Sequence, residues 1–437
     1  MTLRFTLPLL LALVASPLAA QAPTVVPERL SLLEAIALGR RQAVAATLAN
    51  VNARVAGTRV GQRRADILPQ ISGALGVAPQ TRNLDEIGIP VASGVTDPFT
   101  IYSAQLRASQ VIFDASAFTR LKSSSDSAQA AGLDARNAGE LAAAAAAGLA
   151  YLRAQAAEET VHAREADSAL AANLLDQARK LHEAGVTPVI DLTRNEVNSA
   201  AVQIQLLVAR NQRDRARLDL MRALNLPLSA SPVLVDSLGT PAVDVPTVPA
   251  EAVVYALEHR SDVQAERERT DAVTQGRRAV VYENLTSFGF SGLWPTSGQE
   301  TDDLDYSYQL QFGLQVPILD GFRRQRRYAE QSLRLDAQQV RQRDVEQQAE
   351  QETRQSLLDL ASASDGVRIA TDRLRLAGLE FSQADERFRA GVAGSVETTQ
   401  AQQAVVNARD ALIQSRAAYG ISRINLYRSL GVLERLQ

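Results

Sequence analysis

The chain has 437 residues, of which 46% are hydrophobic and 22% are charged, so it can bury a large apolar area. Its net charge of −3 argues against a protein that binds nucleic acid. It contains no cysteine, which excludes disulfide bonds, thiol chemistry and a lipid-anchored N-terminus.

The N-terminus is typical of a secretory signal peptide. Arg4 precedes a short apolar core from Phe5 to Ala15, and small residues follow from Ala19 to Ala22. We expect residues 1–22 to be removed and the mature protein to lie outside the cytoplasm. No later apolar run approaches the ~18 residues that a membrane-spanning helix needs. The mature protein is therefore either soluble in the periplasm or crosses a membrane as a β-barrel.

Long stretches without proline predict long helices, because proline is rarely tolerated inside a helix. Asp114–Ala184 and Asp320–Ala390 are both rich in strong helix formers. At ~1.5 Å per residue each would be about 105 Å long, a length that suits coiled-coil-like stacks. Shorter helices are predicted at Ser31–Ile67, Pro188–Leu226, Ala250–Tyr282 and Ser395–Leu433.

The two long helices belong to an internal duplication. Asp114 and Asp320, which we interpret as helix N-caps, are 206 residues apart, and so are the helix-breaking Gly185 and Gly391. Between the copies, residues 227–249 carry five prolines and predict an extended linker. We therefore divide the mature chain into a first repeat (23–226), this proline-rich linker (227–249) and a second repeat (250–437).

Before each long helix the sequence alternates between apolar and polar residues. Tyr306–Val316 is the clearest strand, and Tyr102–Ala108 precedes the first long helix. Their hairpin partners are predicted at Ile71–Ala78 and Leu285–Trp294. At roughly ten residues each, these strands suit either a membrane or an ordinary half-buried sheet. Four strands cannot close a barrel, so a membrane reading requires several chains to share one.

Six short motifs, in this order and spacing, resemble those of the TolC-type outer-membrane efflux and secretion channels. The resemblance covers essentially the whole mature chain. The motifs lie at Leu32–Leu38, Leu68–Ile71, Gln110–Asp114, Glu183–Val186, Val316–Gly321 and Arg389–Val392.

The resemblance implies a mostly α fold with a small membrane β part. Long α-helical hairpins would form a periplasmic helical barrel, and four strands per chain would contribute to a transmembrane β-barrel shared by a homotrimer. It also implies a location in the outer membrane with a periplasmic extension, in contact with outer-membrane lipid. Glu283 departs from the pattern, because it stands where the second repeat often has the proline that follows Leu68 in the first.

The resemblance implies a passive exit duct of a tripartite efflux pump or a type I secretion system. A periplasmic adaptor, also called a membrane fusion protein, would open the duct by docking, and an inner-membrane pump or ABC exporter would supply the cargo. The family implies no catalysis, and we expect no cofactor and no metal site. The alternative is a soluble periplasmic coiled-coil stalk or adaptor without a channel.

The resemblance assigns adaptor docking to the periplasmic tips of the helices. The expected tip residues are Gly185, Val186, Gly391 and Val392. Near the tips, Asp191 and Glu397 could form a ring of carboxylates at a periplasmic gate. Each could equally be a favourable acid in the first turn of a helix. One turn further, Arg194 and Gln400 make this candidate gate less negative.

Basic residues cluster near the predicted junctions between strands and helices. We expect them to form a collar beside lipid phosphates at the membrane interface rather than a nucleic-acid site. The candidate collar comprises Arg63, Arg64, Arg120, Lys122, Arg277, Arg278, Arg323, Arg324, Arg326 and Arg327.

Overall fold

The computed structural model describes residues 27–83, 94–239, 241, 244–300, 304–390, 392 and 395–436. The predicted signal peptide, residues 1–22, and the tip glycine Gly391 lie outside this range. Among the described residues, none of the helices is both long enough and apolar enough to cross a membrane.

Nine α-helices make up most of the part of the chain that the structure describes. Their bounds are α1 Leu32–Gln42, α2 Val44–Ala65, α3 Ala115–Arg136, α4 Ala144–Glu183, α5 Val189–Ala223, α6 Pro249–His259, α7 Ser261–Tyr282, α8 Arg323–Arg389 and α9 Ser395–Ser429. A π-helical segment, Asn137–Ala143, joins α3 to α4 and makes one long helix of the three. A 3₁₀ turn, Leu433–Arg435, follows α9.

Both predicted long helices are confirmed, and so are the shorter helices that follow them. The opening helix of each repeat is instead divided into two. Ala43 separates α1 from α2 and Arg260 separates α6 from α7, and both residues have extended backbone angles. The prediction of single helices at these two places was wrong.

The helices form a wall, because each packs against its neighbours over much of its length. In the half of the wall next to the predicted strands, the helices lie in the order α2, α3, α7 and α8. In the other half, α4 packs against α5, and α9 packs against α8. The alanine run after Leu141 allows close approach in the middle of the wall. A Cβ on Gly39 of α1 would lie only 2.5 Å from the Cβ of Ala147, so only glycine fits there.

The hydrophobic core sits where the first helix, the linker and the C-terminus converge on α4. Leu30, Tyr151 and Leu220 are fully buried in one part of it, and Tyr427 and Leu430 are buried in another. Two short parallel strands lie beside it, β1 Arg29–Leu30 and β4 Val233–Leu234.

Asp236 of the linker fastens this region. Its Oδ2 accepts the backbone N–H of Leu32 at 2.6 Å and the Tyr151 hydroxyl at 2.8 Å. Burial and the hydrogen bond to Asp236 raise the pKa of Tyr151. Asp236 therefore holds this part of the linker against Tyr151 and Gln155 of α4.

The remaining strands form one antiparallel sheet above the helices. Its strands are β2 Gln70–Gln80, β3 Phe99–Phe113, β5 Ser287–Gly298, β6 Asp305–Tyr306 and β7 Gln309–Gln315. β2 pairs with β3, β3 with β5, and β5 with both β6 and β7. β6 and β7 together replace the single fourth strand that we predicted.

The register places the predicted apolar residues on one face of the sheet. Phe290 is opposite Phe312, and their ring centroids are 5.1 Å apart. Leu75 of β2 and Leu314 of β7 are 89% and 68% exposed on the same side. The other face carries mainly Ser, Gln, Gly and Ala. This alternation confirms the predicted pattern and leaves a broad apolar surface uncovered in the single chain.

Candidate functional site

The junction between sheet and helices holds four of the ten residues of the predicted basic collar in ion pairs. Arg120 Nη1 is 2.9 Å from Glu283 Oε1, and both η nitrogens of Arg327 lie 2.7 Å from the Glu283 carboxylate. Arg324 donates to Asp320 at 2.8 Å, and Lys122 donates to Asp126 at 2.7 Å. The last pair raises the pKa of Lys122.

Glu283, the residue that departs from the family pattern, is the centre of this junction. It accepts hydrogen bonds from α3 of the first repeat and from α8 of the second, and its side chain is only 14% exposed. A proline at this position could accept neither arginine. The departure therefore has a structural reason, because a carboxylate here links the two repeats directly below the sheet.

Five other residues of the collar are available to an outside partner. Among the described residues, these five arginines have no ion pair, and most of them are well exposed: Arg64, Arg277, Arg278, Arg323 and Arg326. Arg63 is intermediate, because Asp66 lies 3.4 Å away and both side chains are more than half exposed. Part of the predicted collar thus holds the junction together, and part remains a candidate lipid contact.

The two helix-capping aspartates differ in detail. Asp114 is an N-cap as predicted and accepts the backbone N–H groups of Ser116 and Ala117. Burial would raise the pKa of Asp114, but the hydrogen bond from the Ser116 hydroxyl, together with these two backbone N–H groups, outweighs it and holds the pKa below its usual value. Asp320 is not the N-cap, since Phe322 occupies that position in a left-handed conformation (φ 64°). Asp320 still accepts the backbone N–H of Arg324, and its hydrogen bond to the Arg324 side chain lowers the pKa of Asp320.

At the opposite end of the wall, the tips are exposed and apolar. Gly185 has φ +71°, and the Val186 N–H bonds to the Leu181 carbonyl oxygen at 2.9 Å in a Schellman turn. Val392 makes the same bond to the Arg387 carbonyl oxygen at 3.1 Å in the second repeat. Val186 and Val392 are 57% and 69% exposed. Each tip therefore presents an exposed apolar side chain on a tight turn.

The four candidate gate residues are not gathered in one cluster. Asp191 is nearly buried and lies 3.5 Å from Arg194, whereas Glu397 is about half exposed and lies 3.3 Å from Arg387. Arg194 and Gln400 line one groove of about 470 Å³ between α5 and α9. Each acid therefore has a nearby arginine, and Arg387 was missed because its counterpart in the first repeat is Leu181.

A buried ionic network, which sequence reasoning also missed, lies between the tips and the core. Asp167 accepts Arg164 at 2.8 Å and also accepts Arg409 of α9, while Arg164 donates in addition to Asp410. Arg164 is 8% and Asp167 is 2% exposed. The partners are more than 240 residues apart in the sequence, so no local spacing could have revealed them.

These features define a class of protein: a long helical wall that carries a sheet with one apolar face at one end. The family model "Outer membrane efflux protein" matches residues 34–226 and 253–432. The chain belongs to the outer membrane efflux protein family. This membership confirms the resemblance to TolC-type channels and the predicted function as an outer-membrane exit duct for efflux. It gives no support to the alternative of a soluble stalk or adaptor.

Individual proteins agree with this assignment. The chain is 25% identical over 385 residues to the probable efflux pump outer membrane protein TtgC of Pseudomonas putida, covering 84% of this chain and 76% of TtgC. The outer membrane channel CmeC of Campylobacter jejuni has the same fold, with a TM-score of 0.80 at 16% identity, covering 92% and 85% of the two chains. A membrane protein from Pseudomonas aeruginosa matches with a TM-score of 0.79 at 18% identity, covering 92% of both chains.

Proposed function

We propose that three copies of this chain assemble into one continuous duct, in which the sheets close a shared barrel in the outer membrane and the helical walls continue it through the periplasm. The observation that carries the proposal is the sheet, which has one continuous apolar face and two free edges. The outer edges of β2 and β7 have no partner strand among the described residues. Such edges pair with other chains unless they are covered, and closure removes them.

The helices support the same assembly. On α2, the exposed Val44, Leu48, Val51 and Val55 repeat at alternating spacings of four and three residues. On α5, Ile190, Val197 and Ile204 repeat every seven residues. Heptad spacing of apolar residues indicates packing against another helix. Because α2 and α5 lie at the free edge of the wall, we infer that a neighbouring copy covers them.

The assembly is tested by isolating the protein from cell membranes. We expect the protein in the outer-membrane fraction, and light scattering in mild detergent should give three times the chain mass of 47.1 kDa, less the signal peptide. Mass spectrometry should find a chain that begins near residue 23 without a lipid. A monomer that remains in the periplasmic fraction would rule out the shared duct.

We further propose that the tips at Gly185, Val186, Gly391 and Val392 receive a periplasmic adaptor, which joins the duct to an inner-membrane pump. The exposed valines of both tips support this assignment, because exposed apolar patches mark interaction surfaces. The groove that holds Arg194 and Gln400, with Asp191 and Glu397 nearby, is the proposed periplasmic gate. The duct itself carries out no catalysis and needs no cofactor.

The proposed pump link is tested in cells that lack the gene. We expect such cells to become more sensitive to toxic compounds and to recover when the intact gene returns. Single cysteines are informative here, because the chain contains none. A cysteine replacing Val186 should cross-link to an adaptor, whereas one replacing the exposed Val254, far from the tips, should not.

A further inference from the structure

Arg107 is an isolated charge on the polar face of the sheet. It lies on β3 in register with Ser72 of β2 and Leu293 of β5. Its side chain is exposed and makes no hydrogen bond or ion pair with the residues that the structure describes. This contrasts with Arg120 and Arg327 at the junction, which share one carboxylate.

The surface around Arg107 is uncharged. On the same face, the nearest residues along β3 are Gln105 and Ser109, and the flanking parts of β2, β5 and β7 carry Gln, Ser, Gly, Ala, Leu and Pro. Among the strand residues that the structure describes, the next charged residue on this face is Asp305, which is opposite Ser297. Asp305 lies four residue pairs further out in the register, or about 13 Å along the strand. That exceeds the Debye length of about 8 Å at physiological ionic strength.

We propose that Arg107 makes the strand section of the duct selective for anions. The proposal rests on the proposed function, in which the polar face lines a lumen and three subunits each contribute one guanidinium at the same height. Rings of charged side chains are a general means of selecting ions in pores.

The dimensions make such a ring effective. Twelve strands about 4.8 Å apart and tilted by about 40° close a barrel with a radius of about 12 Å. Because an arginine side chain reaches inward from the wall, every solute on the axis passes within about one Debye length of three guanidinium groups. The acids near the tips do not offset this charge locally, since Asp191 and Glu397 each lie beside an arginine at the far end of the molecule.

The test uses the absence of native cysteine to place a reporter beside Arg107. In the Gln105→Cys variant, the rate of reaction is measured with an anionic and with a cationic methanethiosulfonate reagent of similar size on purified trimers. Adding Arg107→Gln to this variant neutralises three charges near the thiols of the trimer. This should lower the ratio of the anionic to the cationic reaction rate by about fivefold. Arg107→Lys should keep the high ratio, and so should the control Arg54→Gln at an exposed position on α2.

A separate reporter distinguishes failure of this proposal from failure of the proposed function. Ala104→Cys places a thiol on the apolar face, where detergent or lipid should protect it from both reagents. If this thiol is protected and the Gln105→Cys ratio is the same with and without Arg107, the proposal for Arg107 is wrong and the duct stands. If the Ala104→Cys thiol reacts as fast as the Gln105→Cys thiol, the sheet does not separate lipid from lumen, and both proposals fail.

Discussion

The two ends of the helical wall are held together in different ways. At the junction below the sheet, Glu283 of the second repeat accepts Arg120 of the first. Near the tips, the ion pairs Arg179 with Glu196 and Arg387 with Glu397 each join residues of a single repeat. A neutral hydrogen bond of 3.1 Å from Asn198 to Gln402 connects the repeats there.

This difference indicates where the wall can rearrange at low cost. Separating the repeats at the junction would break charge-assisted hydrogen bonds in partly buried positions, which are about twice as strong as neutral ones. Separating them at the tips would break neutral hydrogen bonds and exposed contacts. Among the ion pairs between described residues of the two repeats, the network of Asp167, Arg164 and Arg409 lies nearest to the tips, about 27 Å from Gly185 along the helix.

The largest expected effect on the free energy of unfolding is in this buried ionic network. Asp167→Asn should leave the buried Arg164 and the neighbouring Arg409 without their shared carboxylate and should lower the free energy of unfolding by about 3 kcal/mol. Denaturant titration of the purified protein in detergent measures it. The control Asp176→Asn lies on the same helix and removes an exposed pair with Lys180, so it should cost less than about 0.5 kcal/mol. Equal losses for the two variants would contradict the interpretation.

The junction should be the next most sensitive region. Glu283→Gln keeps the size of the side chain but removes the charge that two arginines share, and it should lower the free energy of unfolding by about 1–3 kcal/mol. The same titration measures this change. Glu330→Gln on α8 is the matched control, because Glu330 pairs with Arg334 in an exposed position. If the control costs as much as Glu283→Gln, the junction is not a special link between the repeats.

The sequence predicted the long elements well because their signals are repeated over many residues. Helix formers without proline continue through Asp320–Ala390, and the alternation from Tyr306 to Val316 leaves one choice of face. The breaks at Ala43 and Arg260 had no such signal, since each is a single residue of ordinary type. Arg260 also has a partner that only the fold brings close, since Glu352 lies 2.7 Å from it but 92 residues away in the sequence.

The site was predictable only where it depends on local turns. Gly185 was recognisable because a left-handed C-cap favours glycine. The role of Glu283 was not, because its partners Arg120 and Arg327 are 163 and 44 residues away. For the same reason, the sequence could not separate the paired members of the basic collar from the exposed ones.

A smaller effect is expected where the tip depends on backbone geometry alone. Gly185→Ala should lower the free energy of unfolding by about 1 kcal/mol, because a φ of +71° is unfavourable for a residue with a Cβ. No steric cost is added, since no neighbouring atom lies within 4 Å of the new Cβ. Gly132→Ala on α3 is the control, since it also meets open space but has an ordinary helical φ. It should stabilise the protein by about 0.5–1 kcal/mol. Opposite signs in the same denaturant titration support the assignment, and a loss in both variants contradicts it.

The smallest expected effect on stability tests the function of the tips most directly. Val186→Ser combined with Val392→Ser should change the free energy of unfolding by less than about 0.5 kcal/mol, because both side chains are already exposed. If the tips dock an adaptor, the same double variant should reduce the amount of adaptor that copurifies with the duct. Val254→Ser, an equally exposed valine far from the tips, should leave that amount unchanged. Undiminished adaptor binding by the double variant would separate the apolar tips from docking, and the weakly linked end of the wall would then need another explanation.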